Sequence, residues 1–270
     1  MIEVADQLNV VLNFPTNKAI IAMKFTFENS PVIELVLGIQ LDNPVIELSE
    51  EIEIFNILKN TFPNIIEVQP LASIIENVDA FRPHIISNNW ISRKHYINKE
   101  NDRLIQLQPD RLLFNWRKES EKNKYPKYET VFNAFKEIIN KVEEHLKRTL
   151  VYNQFEITYV DHILLDLFNL KNYSIPEIFS FHKQDTPYNN MYFKYTIPME
   201  TIGGVMHIDI KSAIKNDTKE KIIILESTCR GFNPNMKLDD WFSKAHQLLL
   251  EHFISIITEN AKSRWGYKEK

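Results

Sequence analysis

The stretch RLIQLQPDRLLFNWR at residues 103–117 contains two short alternating segments separated by Pro109-Asp110. Proline followed by aspartate favours a tight turn, so the pattern predicts a β-hairpin. Pairing across this turn places four apolar side chains on one face: Ile105, Leu107, Leu112 and Phe114. The opposite face carries amides and guanidinium groups: Gln106, Gln108, Arg111, Asn115 and Arg117. The hairpin therefore predicts an antiparallel sheet with one apolar face and one polar face.

The segments around this hairpin predict a first α+β half at residues 30–150. A strand rich in β-branched residues, Val32–Leu41, precedes a short helix at Glu50–Thr61 that ends before a proline. A long amphipathic helix is predicted at Tyr128–Thr149, because its apolar residues recur at helical spacing. Between the two helices, the pattern predicts the hairpin and two further strands, Ile65–Gln69 and Trp90–Asn98.

A second half with the same order of elements is predicted at residues 151–270. A strand at Phe155–Leu165 and a short helix at Ile175–Phe181 come first, and a long helix at Leu238–Thr258 closes the half. Three strands are predicted between these helices: Met191–Ile197, Val205–Ala213 and Lys221–Arg230. Residues 1–29 form an N-terminal extension, for which a short strand or hairpin and a translation start at Met23 are both open interpretations.

The repeated β-α-β(3–4)-α order predicts an α+β fold made of two similar halves. The links between strands are too short for repeated crossover helices, so the sheets should be antiparallel with the long helices packed on one face. Two such halves side by side would resemble the saddle of TATA-binding-protein-like and related duplicated α+β folds. The other face of the sheet should be free. A likeness of fold alone does not indicate a function.

Composition and charge exclude several classes of protein. The 32 basic and 36 acidic residues give a net charge of -4, which argues against binding nucleic acid or membranes through bulk charge. The five glycines are not spaced for a phosphate-binding loop or a nucleophile elbow. The single cysteine, Cys229, excludes disulfide frameworks and fits a reducing compartment. No signal peptide or membrane span is recognisable, so we expect a cytoplasmic protein without cofactor or metal.

Five motifs are spread along the chain from Ser30 to Gly266. They are SPVIELVLGIQL (30–41), LIQLQPDRLLFNWR (104–117) with YPKYE (125–129), FEITYVDHI (155–163), WFSKAHQLLLEHFISIIT (241–258) and RWG (264–266). In this order they resemble a sporadically distributed family of uncharacterised prokaryotic proteins. The family usually has asparagine where this chain has Asp161. Its patchy distribution implies a component of a mobile, defence-linked or toxin–antitoxin-type system that acts with a partner.

The polar sheet face and one helical histidine supply the candidate binding residues. The side chains of Gln106, Gln108, Arg111, Asn115 and Arg117 can bind hydrogen-bonding edges, phosphates or carboxylates. His246 is added from the last long helix, with a buried hydrogen-bonding role as its alternative. Basic loops with interleaved aromatic residues suit a peptide or single-stranded nucleic acid. We therefore predict a non-enzymatic recognition protein that binds a protein or nucleic-acid partner through the exposed sheet face, although such a face can also be simply solvated.

Two alternatives come from other parts of the pattern. Asp209 and Lys211 share a face with Glu226 of the next strand, which is the general form of a magnesium-dependent nuclease site. This signal is unspecific, because DxK occurs by chance in charged proteins. A small-ligand container with an apolar cavity between the halves is the other alternative. Asp161 shares a strand face with Ile157 and should need a tyrosine or arginine partner if it points inward.

Overall fold

The computed structural model describes residues 25–42, 46–79, 83–86, 92–120, 123–171, 173, 175–181 and 188–269, without the side chains of Leu48 and Ile86. Nine strands in this part of the chain form one antiparallel sheet. From edge to edge they are β10 (Tyr192–Met199), β11 (Gly204–Ile214), β12 (Lys221–Gly231), β9 (Tyr152–Leu164), β2 (Val32–Leu41), β8 (Arg111–Arg117), β7 (Arg103–Gln108), β6 (Arg93–Ile97) and β3 (Asn64–Val68).

Two small two-stranded sheets accompany this large one. β1 (Phe25–Phe27) pairs with β13 (Tyr267–Glu269), and β4 (Ser73–Ile75) pairs with β5 (His84–Ile86). Of the predicted N-terminal extension, residues 1–24 lie outside the described residues, and Phe25–Phe27 belongs to β1.

Three helices pack on the apolar face of the large sheet: α1 (Leu48–Leu58), α2 (Tyr128–Leu146) and α3 (Leu238–Ile256). A short helix, α4 (Glu259–Arg264), packs next to β13. The ring of Phe242 in α3 contacts Phe135 of α2 and Phe155 of β9, so both long helices and the sheet share one apolar core. None of the helices in the described residues is long and apolar enough to cross a lipid bilayer.

The hairpin of residues 103–117 has the predicted register. Ile105 lies opposite Phe114 and Leu107 opposite Leu112, and all four side chains are buried in the core. The strands and the long helices lie close to their predicted bounds, and the α+β class with a large antiparallel sheet is confirmed. The sheet is continuous across the boundary predicted near residue 150, because β2 pairs with β9.

The short helix predicted at Ile175–Phe181 is wrong. These residues form turns, and the amide of Phe179 donates to the carbonyl of Ile175. Phe179 then forms a β-bridge with Ile257, and the amide of Ser180 donates to the carbonyl of Ile256 at the end of α3. The single helical turn does not continue, because the amide of Ser180 and the carbonyl of Ile178 are taken by long-range pairing with the end of α3 and Thr258.

Candidate functional site: the polar face of the sheet

Four side chains on adjacent strands form a row across the polar face. In strand order they are Gln108 of β7, Arg111 of β8, Gln40 of β2 and Gln154 of β9, which we call the polar row. The register places Arg111 opposite both Gln108 and Gln40, and Gln40 opposite Gln154, so all four project from the same side. Each is at most 5% exposed, and burial at this level requires hydrogen-bond partners.

The backbone of residues 71–76, which we call the strap, crosses the polar row. The amide of Leu71 donates to Oε1 of Gln108 at 2.9 Å, and Nε2 of Gln108 donates back to the Leu71 carbonyl at 3.0 Å. One guanidinium nitrogen of Arg111 donates to the carbonyl of Ala72 at 3.1 Å. A primary amide carries the same donor and acceptor pair as a peptide group. Gln108 therefore binds the strap as a neighbouring strand would.

The second half of the strap is held in the same manner. The amide of Ile74 donates to Oε1 of Gln40 at 3.2 Å. Nε2 of Gln154 donates to the carbonyl of Ile74, and its Oε1 accepts from the amide of Glu76 at 2.8 Å. Side chains from four strands thus satisfy backbone groups along one edge of the strap, while its residues Ser73–Ile75 pair with β5 along the other edge.

The strap ends in a buried group of charged side chains. The Glu76 side chain is 1% exposed, and its Oε1 accepts from Arg230 at 3.1 Å and lies 2.8 Å from Nε2 of His207. Nε of Arg230 also donates to Glu156 at 2.6 Å. Burial alone would raise the pKa of Glu156, but attraction to Arg230 and Arg111 outweighs it and lowers the pKa. The carboxylate of Glu156 is therefore held ionised against arginine.

Two predicted binding residues form a second polar chain beside the strap. Oε1 of Gln106 accepts from Arg93 at 2.7 Å, and its Nε2 donates to Asn115 at 2.9 Å. Asn115 in turn donates to Oε1 of Glu34 at 2.6 Å. Burial raises the pKa of Glu34 more than the bond from Asn115 and the charge of Arg117 lower it. Gln106 and Asn115 are both buried and bonded within the chain.

Arg117 and His246 lie in different surroundings from these residues. Arg117 is half-buried at the rim of the polar face and donates to the carbonyl and the side chain of Asn101. His246 is on α3, on the apolar side of the sheet, where Nδ1 lies 2.9 Å from the hydroxyl of Tyr159. Its ring stacks on Tyr128 at 3.9 Å, and burial lowers its pKa to about 4. The structure thus brings Gln106, Gln108, Arg111, Asn115 and Arg117 together and places His246 behind the sheet.

Asp161 also lies on the apolar side, and the described residues provide no tyrosine or arginine partner for its Oδ1. The side chain is buried between Leu225 and Val32 of the adjacent strands. No donor in the described residues bonds its Oδ1, and burial raises its pKa to about 7. The hydroxyl of Tyr159, which shares its strand face, is instead 3.1 Å from the hydroxyl of Tyr125 and bonded to His246.

Removing the hydroxyl of Tyr159 should destabilise the protein. Tyr159→Phe leaves Tyr125 and His246 buried without their shared partner, so we expect a loss of about 1–3 kcal/mol in the free energy of unfolding. Urea titration followed by tryptophan fluorescence measures it. The matched control is Tyr192→Phe, whose exposed hydroxyl bonds Asp209 and whose loss should change stability by less than about 0.5 kcal/mol. Equal losses in the two variants would contradict the role of Tyr159.

The predicted nuclease residues lie together on the polar face of β11 and β12. Asp209 lies opposite Glu226, and its carboxylate accepts from Tyr192 at 2.7 Å and from Lys194 at 3.0 Å. Lys211 follows on the same face of β11. In the part of the chain that the structure describes, no group of three or more His, Cys, Asp or Glu residues could hold a metal ion.

The expectation of a free sheet face is wrong where the strap lies. Gln108 and Arg111 are buried because they bind the strap, and a depression beside them is lined by Gly38, Gln40, Gln154 and Glu156 among others. Its cavity volume of about 10 Å³ is the size of a single water site, so this depression does not support a ligand container. The sequence did not predict Gln40, Gln154 or the strap as parts of the site. The only available signal was that both glutamines occupy polar-face positions of predicted or adjoining strands.

Comparisons of the chain with protein-family models, with curated proteins and with solved structures gave no match. The resemblance to a prokaryotic family stays a prediction from the motifs. The function must therefore be inferred from the geometry of the polar face.

Proposed function

We propose that this chain is a non-enzymatic recognition module that binds an extended segment of a partner protein on the polar face of its sheet. The observation that carries this is the bonding of the strap by side chains of four strands. Extended peptides are recognised elsewhere by main-chain hydrogen bonds added to a sheet. Here side-chain amides supply such bonds, so the strap is an intramolecular occupant of the site and a partner segment replaces it.

The charges of the face favour a protein over a nucleic acid. Its described basic residues are Arg93, Arg111, Arg117, Lys194, Lys211 and Arg230. They are matched by acidic residues on the face, in its turn or in the strap: Glu34, Glu76, Asp110, Glu156, Asp209 and Glu226. Binding to phosphates depends on an excess of positive charge, and the described residues of this face show none. A polypeptide with mixed polar groups fits it better.

A duplicated saddle, a cytoplasmic location and a role in a mobile or defence-linked system belong to the same proposal. In support of the duplication, the strand order outward from the β2–β9 pair is β8, β7, β6 on one side and β12, β11, β10 on the other. A long helix, α2 or α3, follows each set of strands in the chain. The single buried cysteine and the motif resemblance support the location and the role.

The proposal is tested by offering the strap sequence as a separate peptide. Two substitutions in the full-length chain release the strap. Ile74→Pro removes the N–H group that donates a hydrogen bond to Gln40, and Glu76→Ala removes the carboxylate that accepts a hydrogen bond from Arg230. A synthetic peptide of residues 69–78 should bind this double variant. It should not bind the wild-type chain, because the tethered strap competes at high effective concentration. Isothermal titration calorimetry measures both, after circular dichroism has shown that the variant is folded.

Two controls make the result specific. Adding Gln108→Ala and Gln154→Ala to the double variant should abolish peptide binding, because these side chains make the paired bonds to the strap. A peptide with lysine in place of Glu76 should also fail, since it would face Arg230. A folded variant that binds no peptide, or that binds equally well without the two glutamines, would refute the proposal.

A further inference from the structure

The two edges of the large sheet differ in how they are protected. At one edge, β10 contains Pro198, which lacks an N–H group, and Lys194, which is exposed. Proline and lysine on an edge strand prevent pairing with another chain. At the other edge, β3 has the sequence NIIEV, which contains neither residue. In the described residues β3 pairs only with β6, so half of its backbone groups face outward without a strand partner.

Apolar side chains surround the unprotected edge on both faces of the sheet. Ile65 is 41% exposed and Ile66 is 50% exposed, and they project from opposite sides of β3. Ile52, which is 56% exposed, lies on α1 one turn before Phe55, whose ring stacks on Tyr96 of β6. Exposed apolar side chains beside an unpaired strand edge favour association, so this edge is suited to pairing with another strand.

We propose that β3 is a self-association site, at which the β3 strand of a second copy pairs antiparallel and extends the sheet across two chains. The two strands are related by a two-fold axis perpendicular to the sheet, so the residue on the axis lies opposite the same residue of the second copy. Ile66 is the central residue of β3, and only an axis at Ile66 pairs all five residues of the strand. In that register, Ile65 lies opposite Glu67 of the second copy, and Asn64 lies opposite Val68 of the second copy. No like charges face each other.

A second copy is favoured over an unrelated strand because pairing of two β3 strands leaves no free β3 edge to bind a further chain. A two-fold interface uses the same patch on both chains and leaves none of it free. In the dimer both β3 edges are paired with each other, and β10, which contains Pro198, forms each end of the joined sheet. It is independent of the strap and does not use the polar row.

A cysteine at the axis tests the pairing directly. Opposed residues of antiparallel strands have Cα atoms ~4.5–5.5 Å apart, within the range that a disulfide spans. Ile66→Cys should therefore give a disulfide-linked dimer on mild oxidation, seen by non-reducing electrophoresis. The only native cysteine, Cys229, is buried and should not react. The matched control is Ile85→Cys, which is 63% exposed but pairs with Ile74 above β2 and β9, far from β3.

Light scattering on a gel-filtration column gives the second measurement. The wild-type chain should run as a dimer, Ile66→Lys as a monomer of unchanged melting temperature, and Ile85→Lys as a dimer. A lysine at position 66 places like charges together at the axis. A monomeric wild-type chain, a dimer that persists in Ile66→Lys, or equal cross-linking of Ile66→Cys and Ile85→Cys would each overturn the inference.

Discussion

Replacing Asp161 with asparagine should stabilise the protein by about 2–4 kcal/mol at pH 8 and by almost nothing at pH 4. The carboxyl is buried between Leu225 and Val32, and no donor in the described residues bonds its Oδ1. Burial raises its pKa from 3.8 to about 7. The neutral amide of asparagine removes the need to bury a charge.

The sign of the pH dependence follows from the two states of Asp161. The unfolded chain releases the proton near pH 4, while the folded chain keeps it until about pH 7. Between these values the folded state binds more protons, so its stability falls as the pH rises. Above pH 7 both states are ionised and the full penalty remains. Below pH 4 both are neutral and the penalty vanishes.

Urea titrations of the wild-type chain and of Asp161→Asn from pH 4 to pH 8 check this expectation. The difference between them should grow through the interval and level off above pH 7. Asp79→Asn is the control, since Asp79 is exposed in a turn and its replacement should matter by less than about 0.5 kcal/mol at any pH. A difference that does not vary with pH would show that Asp161 is not held in an apolar site.

Glu76→Ala should lower the free energy of unfolding by roughly 3 kcal/mol. The change leaves Arg230 with one buried carboxylate partner instead of two and leaves His207 without its acidic contact. Glu76→Gln should cost less, because its side-chain oxygen can still accept a hydrogen bond from Arg230. Urea denaturation at neutral pH measures both variants.

A surface ion pair provides the comparison for Glu76. Glu259 is exposed and bonds Lys262 one turn away, so Glu259→Ala should change stability by less than about 1 kcal/mol. If Glu76→Ala were no more damaging than Glu259→Ala, the carboxylate of Glu76 would not be buried against Arg230. The strap would then not be anchored on the polar face at this end.

Local sequence patterns predicted the sheet but not the strap that lies on its polar face. The β7–β8 hairpin is defined by alternation and by Pro109-Asp110, and α2 by its apolar spacing, and both are local signals. The bonds between the strap and the polar row join residues separated by 34 to 80 positions. They also depend on β2 lying between β8 and β9, an order that no periodicity contains. A prediction of the polar face was therefore possible, and a prediction of its occupant was not.

The binding residues show the same division. Alternation alone placed Gln108 and Arg111 on one face, and the register agrees. Gln40 and Gln154 join them only because their strands are adjacent to β8 and to each other. Asp161 was expected to find a partner from its strand face, but the hydroxyl of Tyr159 is already shared with Tyr125 and His246.

Amide hydrogen exchange along the strap tests most directly whether the polar row binds an extended backbone. The amides of Leu71, Ile74 and Glu76 each donate to a glutamine side chain, so all three should exchange slowly in the wild-type chain. In Gln108→Ala the amide of Leu71 should exchange much faster, and in Gln154→Ala that of Glu76. If these three amides of the wild-type chain exchange at the rate of an unstructured chain, the strap is not hydrogen-bonded to the polar row. That result would contradict the recognition function inferred from this bonding.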